Sequence, residues 1–459
     1  MAERFEIVEK ALLAMLEDKK YATLRDILVT MNPSDVAGLF GGLEEKQIPL
    51  MFRLLPKEQA AETFVEMEPE AQELLIQGFS DNELKEVLDE LYVDDAADLV
   101  EEMPANVVKR ILKHADPEMR SSINQILRYP ENSAGSIMTT EYVSLRPHMT
   151  VGEAILRIRR QGIDKETIYT CYVTEKDRTL TGIVTVKDLL LAEDDEAPIE
   201  DIMLTNLIYV TTQTDQEEVA RMFSKYNFLA LPVVDGENRM VGIVTFDDAM
   251  DVMEEEATED IEIMGGMMPS EKPYIRSSPI DLFKNRIPWL LLLMVSATFT
   301  GLIITSFEDA LAAQVALTAF IPMLMDTGGN SGSQSSVTII RALSLDELKF
   351  RDLGMVLWKE IRTSLLCGVV LAVCCFVKIW LVDFLLLGNP AITLRVDLVV
   401  CMTLAITVVI AKMVGCTLPL VAKRLGFDPA VMASPFITTI VDALSLLVYF
   451  MFAKLFLHL

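Results

Sequence analysis

Residues 287–307 form an uninterrupted stretch of 21 residues without a charged side chain. A hydrocarbon core of about 30 Å is crossed by roughly 20 such residues in a helix. Four further apolar stretches follow, at 311–343, 363–387, 396–422 and 430–457. Five in succession within about 180 residues exceed what the core of a soluble domain needs, so the C-terminal part is expected to be a membrane domain of five helices. Basic residues fall before the first stretch (Lys284, Arg286), between the second and third (Arg341, Lys349, Arg351, Lys359, Arg362) and between the fourth and fifth (Lys423, Arg424). By the positive-inside rule this predicts a multi-pass protein of the cell membrane, with the N-terminal half in the cytosol and the C-terminus outside.

The remainder has the opposite character. The net charge is −28, yet the mean hydropathy is +0.34. Residues 279–459 contain 13 Lys/Arg and 12 Asp/Glu, so essentially all the negative charge lies in residues 1–278. A charge of that sign disfavours nucleic acid and favours cations. The N-terminus has no apolar core of the signal-peptide kind. There is no Cys-x-x-Cys, no His-Glu-x-x-His and no Gly-x₄-Gly-Lys-Ser/Thr, which removes zinc chemistry and P-loop ATP hydrolysis. The chain is therefore not expected to be an enzyme.

Polar residues inside the apolar stretches point to a path. The second stretch contains Asp326, Thr327, Gly328, Gly329, Asn330, Ser331, Gly332, Ser333, Gln334, Ser335 and Ser336. Such a run cannot face hydrocarbon, because unsatisfied polar groups there cost several kcal/mol each. It lines either a watery path or a close helix contact made by small residues. Asp442 sits near the middle of the fifth stretch, seven residues after Pro435. A carboxylate at that depth marks an ion pathway or pairs with a lysine, here Lys412 or Lys378. With Thr438 and Thr439 nearby, the environment is all oxygen, which suits a hard cation such as Mg²⁺ or Ca²⁺.

Within the acidic half, residues 134–256 repeat. Ile137-Met-Thr139 corresponds to Ile202-Met-Leu204, and Gly182-Ile-Val-Thr-Val-Lys-Asp188 to Gly242-Ile-Val-Thr-Phe-Asp-Asp248. Each copy predicts a helix (150–161; 215–226), a strand (169–174; 230–234) and a second strand (182–185; 242–245). The pair resembles tandem CBS domains. The resemblance implies a sensor module, with Thr185 and Asp188, and Thr245 and Asp248, as residues for ATP or another adenine nucleotide. Upstream, helix starts at Ser34, Lys57 and Asp81, 23 and 24 residues apart, predict a small superhelical solenoid. Its acidic cluster is Asp94, Asp95 and Asp98. Asp247 to Ile263 then crowds Asp247, Asp248, Asp251, Glu254, Glu255, Glu256, Glu259 and Asp260 onto a few helical turns. Like charges at that spacing destabilise a helix, so this one is expected to need cations.

Taken together these parts resemble the MgtE family of magnesium transporters and channels over essentially the whole chain. The specific pieces are Pro322-x₅-Gly-Gly-Asn330-Ser-Gly-Ser-Gln334, Leu425-Gly-Phe-Asp-Pro-Ala430, and Ser434-Pro435 with Asp442. The expected architecture is an all-α superhelical N domain (1–130), α/β tandem CBS domains (131–250), an acidic connecting or plug helix (251–280) and a pore domain of five transmembrane helices (281–459). The resemblance implies a homodimer in the lipid bilayer that imports Mg²⁺ and is shut by cytosolic Mg²⁺. It implies Asp442 as pore aspartate, with Asn330 and Asp326 beside it. Asp428 at the pore mouth would be bridged by Mg²⁺ to Glu259 and Asp260 on the connecting helix. Asp248 and Asp251 would face the acidic cluster of the N domain, Glu217 would be a sensor ligand, and Glu255 and Glu256 would belong to the same sensing surface. Two positions depart from the family pattern: Asn227 stands where an Asp can complete the Glu217 site, and Ser434 where some members have Asn. The alternative reading is a CBS-regulated transporter of Mn²⁺, Co²⁺ or Ca²⁺. The lack of a Cys/His cluster in the membrane stretches weighs against softer metals.

Overall fold

The computed structural model describes residues 2–270, 274, 277–386, 392–432 and 434–457, without the side chains of 2–7, 9, 164, 384 and 434. It divides into two compact units, Met1–Met253 and Glu254–Leu459.

The first unit begins with ten helices, α1 (Ala2–Glu17) to α10 (Pro117–Ile126). The repeat spacing is visible in the alternate ones: α3 (Pro33–Gly41), α5 (Lys57–Val65) and α7 (Asp81–Leu88). Each has a local reason to start where it does. Asn32 caps α3 through Ser34 N, Pro56 precedes α5, and Ser80 forms a reciprocal capping box with Glu83 on α7. Their apolar faces meet in one continuous core that includes Phe40, Phe52, Phe64, Leu75 and Phe79. Between α7 and α9 (Ala105–His114), α8 (Val93–Glu102) presents the acidic cluster.

Two three-stranded sheets follow, of order β1 (Tyr142–Leu145), β2 (Thr167–Thr174), β3 (Leu180–Thr185) and β4 (Val210–Thr211), β5 (Ala230–Val234), β6 (Met240–Thr245). In each the first pair is parallel and the second antiparallel. The parallel pair is bridged by a helix, α11 (Val151–Gln161) in the first repeat and α14 (Gln216–Tyr226) in the second. Thr150 and Asp215 cap these helices. Short helices α12 (Val186–Leu190) and α13 (Ile199–Ile202) close the first repeat, and α15 (Phe246–Met264) leaves the second. Burial differs between the repeats: β5 and β6 are buried at every position, whereas β2 and β3 are partly open.

The second unit holds α16 (Pro279–Ser306), α17 (Glu308–Ala313), α18 (Ile321–Ser344), α19 (Leu353–Lys378), α20 (Leu394–Leu425) and α21 (Ser434–Leu457). Among the described residues four helical segments are long and apolar enough to cross a membrane: Pro279–Ser306, Phe350–Asp383, Leu394–Leu425 and Pro429–Leu457. The expected fifth is α18, whose 24 residues reach about 36 Å at 1.5 Å each. Its polar run keeps it outside that set. It also starts later than the sequence implies. Residues 311–320 are taken up by the end of α17 and a 3₁₀ turn, and Pro322 lies in the first turn of α18, where its missing N–H costs nothing. In this unit α18 packs against α20 and α21, while α16 touches α21 and buries none of its residues.

Candidate cation sites

Three places bring carboxylates together. The first lies within the soluble unit. The N-terminus of α8 has no side-chain cap of its own; instead Glu141 Oε2 accepts from Val93 N at 3.1 Å. A carboxylate from the segment before β1 thus satisfies an orphan N–H at the positive end of the helix. That contact sets Glu141 beside Asp94. Glu166 joins them, its backbone N–H bonded to Glu141 O. Oxygens of Asp94, Glu141 and Glu166 all lie within 4.8 Å of one another. Asp94 is only 7% exposed, and Glu166 Oε2 is buried without a hydrogen-bond partner.

Asp248, at the start of α15, completes the cluster, and its charge acts on Asp94, Asp95, Asp98 and Glu166 alike. Burial, reinforced by Asp248 and the other acids, holds Asp94 well above the usual carboxylate range. The same causes push Asp95 up to about 7 and Asp98 to about 8. Glu166 also reaches about 8, through burial and then repulsion from Asp95 and Asp248. Burial raises Asp248 itself, against the hydrogen bond from Thr245. Crowded carboxylate oxygens of this kind suit Mg²⁺ or Ca²⁺. Asp251 is exposed one turn further along α15 and acts on Asp248.

The expected cluster of Asp94, Asp95, Asp98 and Asp248 is therefore brought together, and Glu141 and Glu166 are added to it. Nothing in the sequence marks these two, which are single glutamates in connecting segments. Only the parallel pairing of β1 with β2 places them side by side.

The second place is at the far end of α15. Ile263 and Met264 pack against Ile340 and Ala430. This brings Glu259 and Asp260 within reach of Asp428, which acts on both. Burial first, then Glu256 and Asp428, raises the Glu259 pKa; burial and Asp428 raise that of Asp260, despite a 3.5 Å hydrogen bond from Ser344. Asp428 also accepts from Ala430 N at 2.8 Å. Glu255 lies exposed on the same helix.

The third place is the polar part of α18. Its two faces answer the two readings separately. Gly328, Gly329 and Gly332 face Thr407, Thr438, Val441 and Ile437 so closely that an added Cβ would collide, which is a helix contact built from small residues. Where α20 crosses, a Cβ on Gly415 would run into the Gly332 carbonyl. Outside that contact Asp326 and Asn330 are exposed, with Asn330 Nδ2 donating to Asp326 Oδ1 at 3.1 Å. Asp442 on α21 is half-buried, and Asp326 is the charged group that acts on it. The lysines that might have paired with Asp442 are engaged elsewhere. Lys378 bonds Asp383 at 2.8 Å, and buried Lys412 donates to Ser335, which in turn donates to Glu360.

Other expected site residues have local roles as well. Thr185 and Asp188 form a capping box on α12, with Thr185 Oγ1 donating to Asp188 at 2.5 Å. Thr245 and Asp248 repeat the bond at 2.5 Å. Glu217 is paired with Arg221 at 2.9 Å. Asn227 terminates α14 with φ +55°, a left-handed conformation that Asn tolerates better than most residues. Ser434 opens α21, and its side chain lies outside the described residues.

Comparison with known proteins bears on all of this. Residues 31–132 match the MgtE intracellular N domain, 134–195 and 199–255 the CBS domain, and 321–452 the MgtE divalent cation transporter family. The magnesium transporter MgtE of Thermus thermophilus is 38% identical over 447 residues, covering 96% of this chain and 97% of its own. That of Bacillus subtilis is 33% identical over 451 residues, covering 97% of each. A crystal structure described as the cytosolic domain of the Mg²⁺ channel MgtE in complex with ATP is 38% identical; it matches 53% of this chain and 99% of its own with a TM-score of 0.51. With the helical N-terminal region, the paired repeats and the membrane helices all matched in one order along the chain, this protein belongs to the MgtE family of magnesium transporters.

Proposed function

We propose that the chain forms a homodimeric Mg²⁺ channel of the cell membrane that carries the ion inward and is closed by Mg²⁺ on its cytosolic side. The observation that carries the reading is the face of α18 on which Asp326 and Asn330 stand exposed beside Asp442 of α21. A helix of this length with such a face cannot present it to lipid. A second copy of the chain covers it and makes α18 the fifth membrane span. Mg²⁺ gives up its water reluctantly, so one aspartate from each copy, together with amide and hydroxyl groups, recognises the hydrated ion. The membrane potential contributes roughly 4.6 kcal/mol per 100 mV for a divalent cation, at about 2.3 per charge, so inward movement needs no hydrolysis.

Closure uses the two acidic clusters. Mg²⁺ at Asp94, Glu141, Glu166 and Asp248, with Asp95, Asp98 and Asp251 around them, cancels their repulsion. Mg²⁺ between Asp428 and the Glu259–Asp260 pair, with Glu255 and Glu256 nearby, holds α15 against the ends of α18 and α21. Glu217 contributes a weaker sensor position. An adenine nucleotide at Thr185 and Asp188 is supported by the ATP complex of the 38% identical relative. The domain assignment is that expected from the sequence: N domain 1–130, CBS pair 131–250, plug 251–280 and pore domain 281–459.

Mg²⁺ flux into liposomes containing the purified protein tests this. Mg²⁺ on the side of the soluble unit is expected to suppress flux and to protect that unit from protease. Changing Asp248, Asp251, Glu259 and Asp260 to Asn or Gln is expected to weaken both effects. Equal protease sensitivity with and without Mg²⁺ in the unaltered protein would sink the gating mechanism, and absence of Mg²⁺ flux the channel itself.

A further inference from the structure

In the soluble unit, where acids outnumber bases about two to one, one cleft reverses the balance. It has a volume of about 500 Å³ and is lined by Arg146, Arg157, Arg160, Lys165 and Arg178, with no carboxylate among the described residues of its wall. None of the five cations forms an ion pair among the described residues. Arg146 spends one nitrogen on Thr174 O at 2.9 Å and Thr174 Oγ1 at 3.1 Å, with Glu175 O also in contact, which fixes the guanidinium at the cleft wall. Tyr142, Ser144 and Thr174 add hydroxyl groups. Thr185, Asp188, Thr245 and Asp248 do not line it.

The second repeat is an internal control for what the fold itself requires. The strand registers make Arg146 equivalent to Thr211 and Arg178 to Asn238, and the bridging helices make Arg157 equivalent to Met222 and Arg160 to Lys225. One cation of these four remains. Asn238 and Arg178 both have positive φ, +61° and +71°. Asn is at home in that left-handed turn, whereas Arg has no local reason to occupy it. Unfavourable backbone at a residue that serves a cleft is a signature of function rather than of stability.

We propose that this cleft binds a small soluble anion bearing several phosphate groups. Guanidinium forks match phosphate oxygens with paired, charge-assisted hydrogen bonds, and five positive charges exceed what a single phosphate needs. The volume falls in the ordinary range for small-molecule sites. Among the described residues Tyr142 is the one aromatic on the wall, so phosphates rather than a base dominate recognition. A nucleic acid or an anionic membrane surface would meet the net negative charge of the whole unit, whereas a small anion feels only the local field.

The test is calorimetric titration of the full chain in detergent with sodium tripolyphosphate in Mg²⁺-free buffer. Saturable binding is expected. The double variant Arg160→Gln, Arg178→Asn, which takes its second change from the other repeat, is expected to bind at least about tenfold more weakly, the loss of charge-assisted pairs. Its melting temperature without ligand should be no lower than that of the unaltered protein. Asp188→Asn should bind tripolyphosphate as the unaltered protein does. Absence of saturable binding, equal affinity in the double variant, loss of binding in Asp188→Asn, or binding to anionic vesicles without binding to tripolyphosphate would each overturn the proposal.

Discussion

The carboxylates of the soluble unit and those of the membrane helices obey opposite rules. In the first, Asp94, Asp95, Asp98, Glu141, Glu166 and Asp248 crowd together and raise one another's pKa values. In the second, polar groups are few and mostly answered: Asp383 by Lys378, Glu360 by Ser335 with Lys412 behind it, and Asp397 by Cys401 Sγ at 3.3 Å. Asp326 is met only by the amide of Asn330, and among the described residues Asp442 has no hydrogen-bond or ion-pair partner; the two share one region of α18 and α21. Carboxylates crowded in this way repel one another, and under the proposed gating a cation would draw them together. Under the proposed channel function, two sparse acids beside a polar helix face would suit an ion that must leave as readily as it enters.

The largest expected effect breaks the membrane side of this contrast. Asp442→Asn should lower Mg²⁺ flux on the order of 100-fold, about 2.7 kcal/mol at about 1.36 per tenfold. The protein should still insert and melt normally, because Lys378 and Lys412 have other partners. Near-normal flux in liposomes would make Asp442 a structural residue and end the distinction drawn here.

A smaller effect sharpens the other face of α18. Gly415→Ala sets a methyl group against the Gly332 carbonyl and should destabilise the membrane unit by about 1–3 kcal/mol, the usual cost of overpacking. Gly301→Ala on α16 meets no atom within 4 Å and should be neutral. Equal thermal shifts for the two would show that the glycines do not set the helix spacing.

The smallest effect concerns protons in the soluble unit. With Asp98 and Glu166 pushed up to about 8 and Asp95 to about 7, these groups are partly protonated at neutral pH. The folded arrangement favours the protonated acids. Without a cation its stability is therefore greatest below the ordinary carboxylate range and is lost as pH rises from there through about 8. A cation needs the ionised form, so adding Mg²⁺ at pH 7 to a weakly buffered solution should release roughly one or two protons per chain. A pH-stat trace without release would mean that the acids are already ionised and that the cluster is looser than it stands.

The sequence by itself determined what is periodic or repeated. Helix starts at or within one residue of Ser34, Lys57 and Asp81, the antiparallel strand pair of each sheet, and the long apolar helices follow from spacing, capping residues and runs of hydrophobic side chains, all properties of neighbouring residues. It also marked Asp442 and the acidic α15, since a charge in an apolar run or a charge run in a helix is visible locally. Tertiary structure decided which residues share a site. The polar run of α18 splits into buried glycines packed against α20 and α21 and an exposed Asp326–Asn330 pair within reach of Asp442, a division set by which side of the helix its neighbours occupy. Glu141 and Glu166 joined Asp94 through the parallel β1–β2 pairing and a cap on a helix about 50 residues earlier. The arginine cleft gathers β1, α11 and the β2–β3 turn. Sequence pattern records which face of an element is buried; it does not record which distant element covers it, and a site made of single residues from several segments exists only once that covering is chosen.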